Sequence, residues 1–169
     1  TSNITKNHIY NIQKLDVFND KIPSRAKRKV KQNDIVYSTV RPNQHHHGII
    51  KVPVENMLAS TGFVVLTSKG RYSNDLIYLW LNQEETTTKL QSIAEQSTST
   101  YPSIKPGDIL SIKILVPLEK QLNELSDMIE VQHKQIWINQ QQNQKLMEIR
   151  NSLLPKLMSG EIRVLIDKE

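Results

Sequence analysis

The sequence predicts an α+β fold, a mostly β domain followed by a long protruding coiled-coil-type helix, and two observations carry the prediction. From Ile35 to Leu115 short β-branched runs are bounded by Gly, Pro, Asn or Ser, the punctuation of strands and turns. Residues 119 to 154 contain neither Gly nor Pro and can run as one helix. At 1.5 Å per residue that helix would be about 54 Å long, too long to lie on so small a domain. The expected division is therefore 1–118 for the domain and 119–169 for the helix with a short C-terminal segment.

Taken in order, DIVYSTV reads as a strand broken by Arg41-Pro42-Asn43, and GIIKVPV and TGFVVLTS supply further strands. One helix is expected in SNDLIYLWLNQEETTTKLQSIAEQ, with Ser73, Asn74 or Asp75 as its N-cap and Leu76, Leu79 and Trp80 at helical spacing. STSTYPSIKPGD is a polar loop, and ILSIKILVP a last strand that Pro117 closes. Beyond the long helix, Pro155 is expected to kink or restart the chain. LMSGEIRVL then reads as a helical turn stopped at Gly160 and a small strand.

The 169 residues suffice for one compact domain with an extension. Cysteine is absent, which removes disulfides and thiolate chemistry and fits a reducing, cytoplasmic setting. No apolar stretch approaches the roughly 20 residues of a membrane span, and the polar start TSNITKNHIYN has no signal-peptide core. Residues 1–118 carry 15 Lys and Arg against 9 acids, whereas 119–169 carry 7 against 8, so only the first part is basic. Its densest stretch, KIPSRAKRKVK, holds Lys21, Arg25, Lys27, Arg28, Lys29 and Lys31 with no acid among them. Such a field suits phosphates, and the alternative is a solvated basic strand.

Apolar residues of the long helix fall on a heptad, with Leu122, Ile129 and Ile136 at one position and Leu125, Leu146 and Leu153 at the other. Asn139 and Asn143 make the middle of the seam polar, which fixes register and partner at a cost in stability. A helix that pairs with another is favoured over one packed on its own domain.

No Gly-rich phosphate loop, Gly-x-Ser-x-Gly elbow, His-Glu-x-x-His or acidic metal cluster occurs. The glycine-rich loop and aromatic proline tetrapeptide of a DNA-adenine methyltransferase are also missing. Nothing in the sequence proposes a catalytic residue or a cofactor.

TSNIT, NHIYNIQKL, IPSRAKRKVKQNDIVYSTVRPNQ, STGFVVLTS and LLPKLMSGEIRV together form a pattern. Over nearly its whole length the chain resembles a specificity subunit of a type I restriction-modification system, or one half of it. The resemblance implies a non-catalytic subunit. Its target recognition domain would read half of a split DNA sequence, and its long helix would pair antiparallel and dock methyltransferase subunits, and through them the restriction subunit. A complete subunit has two recognition domains and two helical regions, and this chain has one of each. Its start falls inside a recognition domain, leaving a fragment or a half-length subunit that dimerises as alternatives.

On this resemblance Arg25, Lys27, Arg28, Lys29 and Lys31 are candidate DNA contacts. Arg41, Asn43, Gln44, His45, His46 and His47 follow on a loop expected to vary between relatives, with Asn43 and Gln44 suited to adenine. A metal held by His45 and His47, which share a face in an extended chain, and a solvated loop are the alternatives. Thr98, Thr100 and Tyr101 are further candidates, against an ordinary polar connection. A rival function is a helical dimerisation or scaffold protein whose basic domain binds an acidic partner other than DNA. Salt dependence alone does not separate the two, but preference among duplexes does.

Overall fold

A computed structural model describes residues 3–10, 12–16, 18–97, 101–116 and 118–163, excepting the side chains of 119 and 120. It has the α+β architecture with a long C-terminal helix that the sequence predicts. The chain divides into two compact units, Thr1–His133 and Lys134–Glu169.

In the first unit β1 (Ile4–Thr5) and β2 (His8–Ile9) form a hairpin whose two loop residues, Lys6 and Asn7, are both left-handed. That is the turn whose twist suits a two-residue hairpin. β3 (Ala26–Lys29) pairs antiparallel with β6 (Leu58–Ser60) as a separate ribbon. β4 (Ile35–Ser38) is the centre of a three-stranded antiparallel sheet, flanked by β5 (His47–Ile49) and β7 (Phe63–Leu66). All four residues of β4 are buried, so both of its faces are covered. Ile35, Tyr37, Ile49 and Val64 pack with Tyr78, Leu81, Leu90, Ala94, Ile104 and Ile109 to form the core.

The single helix expected over residues 73–96 is two, α1 (Asn74–Leu81) and α2 (Glu84–Glu95). Ser73 caps α1, its hydroxyl accepting from Leu76 N at 3.2 Å. The chain turns at Asn82 and Gln83, and Thr86 Oγ1 closes the corner by donating to Trp80 O at 3.0 Å. This corner lets Leu81, Leu90 and Ala94 reach one core, which a straight rod would not.

The last strand expected in the domain is absent: Pro106–Leu110 is a short helix, α3, and residues 111–116 form no strand. Pro106 sits in its first turn, and Asp108 accepts from Lys105 N at 2.6 Å, so the cap outweighs the β-branched run that follows. Pro117 lies outside the described residues.

α4 (Glu119–Met158) runs for 40 residues. Pro155 lies inside it rather than ending it. Ser159 N still bonds Pro155 O at 2.9 Å, and Gly160, at φ +75, takes the left-handed conformation that stops a helix. The small strand expected next is not formed by residues 161–163, and 164–169 lie outside the described residues.

The first turns of α4 belong to the first unit. Leu122 and Ile129 are buried, and Leu125 partly so, against Leu76 and Trp80. Ser126 Oγ donates to Ser73 Oγ at 2.6 Å. Leu122 and Ile129 therefore cannot serve the pairing seam assigned to them, because α1 of the same chain already covers them, and Leu125 is partly covered by the same contact. In the second unit Ile136, Asn139, Asn143, Leu146 and Leu153 are exposed. No helix among the described residues is long and apolar enough to cross a membrane.

Candidate nucleic-acid interface

Arg25, Lys27, Arg28, Lys29 and Lys31 are all exposed along β3 and its flanks. A bulge between Ala26 and Arg28 places one extra residue against β6, which bends and twists the ribbon locally. Arg25 ties this ribbon to the rest of the domain: Thr61 N donates to Arg25 O at 2.8 Å, and Arg25 Nε to Thr61 Oγ1 at 3.3 Å.

Next to Thr61 lies the end of β4. Thr39 N and Oγ1 both donate to Gly62 O, at 2.9 and 3.0 Å, and Arg41 N donates to Pro102 O at 3.0 Å. Arg41 and His45, both left-handed, flank a 3-10 turn at Pro42–Gln44. Pro42 is buried and anchors the turn, while Arg41, Asn43 and Gln44 are exposed. Asn43 N donates to Gln91 Oε1 on α2 at 3.2 Å. The Arg41 guanidinium lies 5.6 Å from the centre of the exposed Tyr101 ring. Exposed Lys6 adjoins the same tip through Lys6 N to His45 O at 2.9 Å. Thr98 and Thr100, also expected at this surface, lie outside the described residues.

The histidine run plays a different part from the one expected. His47 is 1% exposed, its ring stacked on Tyr37 at 4.9 Å and its Nδ1 3.2 Å from Tyr78 OH. Burial, with the nearby charges of His45, Lys6 and His46, pushes its pKa down to about 4, so the buried ring is neutral. A residue so enclosed cannot touch DNA. His46, half-buried, holds Nδ1 2.8 Å from Ile4 O, an acceptor only, so that nitrogen carries the proton and donates. The bond secures the first hairpin. Nor is the chain extended at left-handed His45, whose ring meets His47 edge-on at 5.9 Å rather than on a shared face.

Gly48 completes the motif. A Cβ there would stand 2.6 Å from Ile4 Cδ1, 3.0 Å from Asn7 Oδ1 and 3.1 Å from Asn7 Cα. Only glycine lets the hairpin lie against β5, where Asn7 Oδ1 accepts from Ile49 N at 2.8 Å and Asn7 N donates to His47 O at 2.9 Å.

A buried polar chain that the sequence reading missed lies within the first unit. Lys51, just after β5, reaches Asp75 Oδ2 at 2.6 Å, and His133 Nδ1 on α4 lies 2.7 Å from Asp75 Oδ1. Burial alone would raise the Asp75 pKa. The hydrogen bonds from His133 and Lys51, with the charge on Lys51, outweigh it and hold the carboxyl below its usual range. Tyr78 links the two groups, its hydroxyl on His47 and its ring 5.5 Å from that of His133. Burial raises the Tyr78 phenol pKa, and it raises that of Tyr37 to about 12 against the opposing Thr87 hydroxyl. The signals available were a lone lysine within GIIKVPV and a histidine on the face of α4 that carries Leu122 and Ile129.

A cationic α+β domain continued by a long helix defines an architectural class, and comparison with known proteins narrows it. No family model matches the chain. It is 29% identical over 133 residues to the type I restriction enzyme HindI specificity subunit of Haemophilus influenzae, covering 78% of this chain and 29% of that protein. It is 36% identical over 66 residues to the type I restriction enzyme MjaIX specificity subunit of Methanocaldococcus jannaschii, covering 39% of this chain and 15% of that one. Its fold is similar to that of the HsdS subunit from Thermoanaerobacter tengcongensis, with a TM-score of 0.62 at 17% identity, over 99% of this chain and 43% of that one. A chain solved in work on assembly and conformational transition of the type I R-M system gives 0.61 at 18% identity, with the same coverage. The chain thus spans less than half the length of each of these proteins. Its homologues are type I restriction enzyme specificity subunits, the family its motifs resemble.

Proposed function

We propose that this chain is a sequence-specific DNA-recognition subunit of a type I restriction-modification complex, reading half of a bipartite target and docking methyltransferase subunits through its helix. The observation that carries the reading is the continuity of the exposed cations Arg25, Lys27, Arg28, Lys29 and Lys31 with the exposed tip residues Arg41, Asn43 and Gln44 through Thr61, Gly62 and Thr39. Cations along the ribbon neutralise phosphates and set register on the duplex, while the tip meets base edges. Asn43 and Gln44 present amides that can pair with adenine N6 and N7.

The recognition domain covers residues 1–118, and residues 119–169 hold the long helix and a short C-terminal segment. The exposed residues Ile136, Leu146 and Leu153, with Asn139 and Asn143 between them, form the pairing seam, met by another copy or by the second half of a longer subunit. The chain itself does no chemistry and works in the cytoplasm. Methylation and cleavage belong to the subunits it brings to DNA.

Purification with the products of neighbouring genes tests this reading. A stoichiometric complex that methylates DNA at a defined sequence is expected. A chain that binds duplexes without sequence preference and recruits no methyltransferase would instead favour a scaffold for another acidic partner.

A further inference from the structure

We infer that Arg41 reads a guanine in the major groove, its guanidinium held in place by the face of Tyr101. The inference rests on the DNA-recognition reading above and assigns one base contact within it. Of the six non-glycine residues with positive φ among the described residues, Asn7, Asn33, His45 and Asn56 are of types that tolerate it. The other two, Lys6 and Arg41, lie at one tip, joined through His45 by the bond from Lys6 N to His45 O and by the turn between Arg41 and His45. Among the described residues, positive φ in unsuited types thus occurs at this surface, where buried Pro42 and the bond from Arg41 N to Pro102 O maintain it at Arg41.

The strain aims an exposed side chain. The Arg41 guanidinium, 5.6 Å from the centre of the Tyr101 ring, is restrained by that contact, and its planar fork matches the O6 and N7 acceptors of guanine. A phosphate contact needs no such orientation, and the cations of the neighbouring ribbon already provide for phosphates.

Selection from a randomised pool of DNA duplexes tests the assignment with the full chain. The wild-type chain should enrich a motif containing a fixed guanine. Arg41→Ala should lose preference at that position by about tenfold or more while keeping the rest of the motif, and Arg41→Lys, which lacks the planar fork that stacks on Tyr101, should keep less of it than the wild type. Tyr101→Ala should weaken the same position, and Tyr101→Phe, which keeps the ring, should preserve it. Replacing that guanine with 7-deazaguanine should weaken the wild-type chain and leave Arg41→Ala unaffected. If Arg41→Ala keeps the guanine preference and weakens all duplexes equally, Arg41 is a phosphate contact and the inference is overturned. If the wild-type chain enriches no motif, the DNA-recognition reading falls as well.

Discussion

Asp75 at the start of α1 and His133 on α4 meet through a bond of 2.7 Å, and the other carboxylate oxygen holds Lys51 at 2.6 Å. The lysine and aspartate side chains are 5% and 3% exposed. Removing the carboxylate leaves Lys51 buried without its counter-charge, so Asp75→Ala should cost about 3–5 kcal/mol of stability. His133→Ala leaves the Lys51–Asp75 pair in place and should cost less. Urea unfolding of both variants checks the order, and equal, negligible losses would contradict it.

His47 gives stability a pH dependence of known sign. Its pKa is about 4 in the folded chain against 6.5 in an ordinary histidine, so below pH 6.5 the unfolded chain takes up a proton that the folded one refuses. The contribution is complete above pH 6.5 and is lost as pH falls toward 4, at up to about 1.4 kcal/mol per unit. Asp75 acts lower, its contribution present above its ordinary 3.8 and lost on further acidification. Unfolding midpoints at pH 7 and pH 4.5 should differ in the wild type by more than in His47→Gln. Equal pH slopes in the two chains would remove His47 as the cause.

Gly48→Ala should destabilise the first unit by about 1–3 kcal/mol. The Ile4 side chain at 2.6 Å can move, whereas the Asn7 backbone at 3.1 Å is fixed by its bond to His47 O. Adding Ile4→Val should recover only part of the loss, and full recovery would show that the backbone contact is unimportant.

These predictions rest on contacts that sequence periodicity does not carry. The strands at Ile35–Ser38 and Phe63–Leu66, the Ser73 cap, the Gly160 stop and the long helix were legible because each has a local cause. The corner after Leu81 was not, because neither Asn82 nor Gln83 breaks a helix by itself and only the shared core demands the turn. His47 looked like part of an exposed loop because Tyr78, 31 positions away, determines its setting. Asp75 and His133 are 58 positions apart. The basic ribbon and the tip were legible singly, but their junction at Thr61 and Thr39 was not.

The same distinction divides the long helix. Ile136→Asp with Leu146→Asp should abolish pairing of the seam, read by light scattering, and leave the unfolding of the first unit unchanged. Ile129→Asp, in contrast, places a charge against Leu76 and Trp80 and should destabilise that unit by about 3 kcal/mol or more. If Ile129→Asp is harmless, the helix does not pack as described.

Removing Lys27, Arg28 and Lys29 one at a time should weaken binding about equally for all duplexes. Each loss should lower the slope of log affinity against log salt by about one. An unchanged slope would make the ribbon a solvated surface only.

The most direct test of DNA recognition compares, by fluorescence anisotropy over a salt series, a duplex enriched by the chain with a scrambled duplex of the same composition. The account predicts that affinity for both falls with salt, while the enriched duplex stays about a thousandfold tighter or more at each concentration. Equal affinities for the two duplexes throughout the series would contradict it.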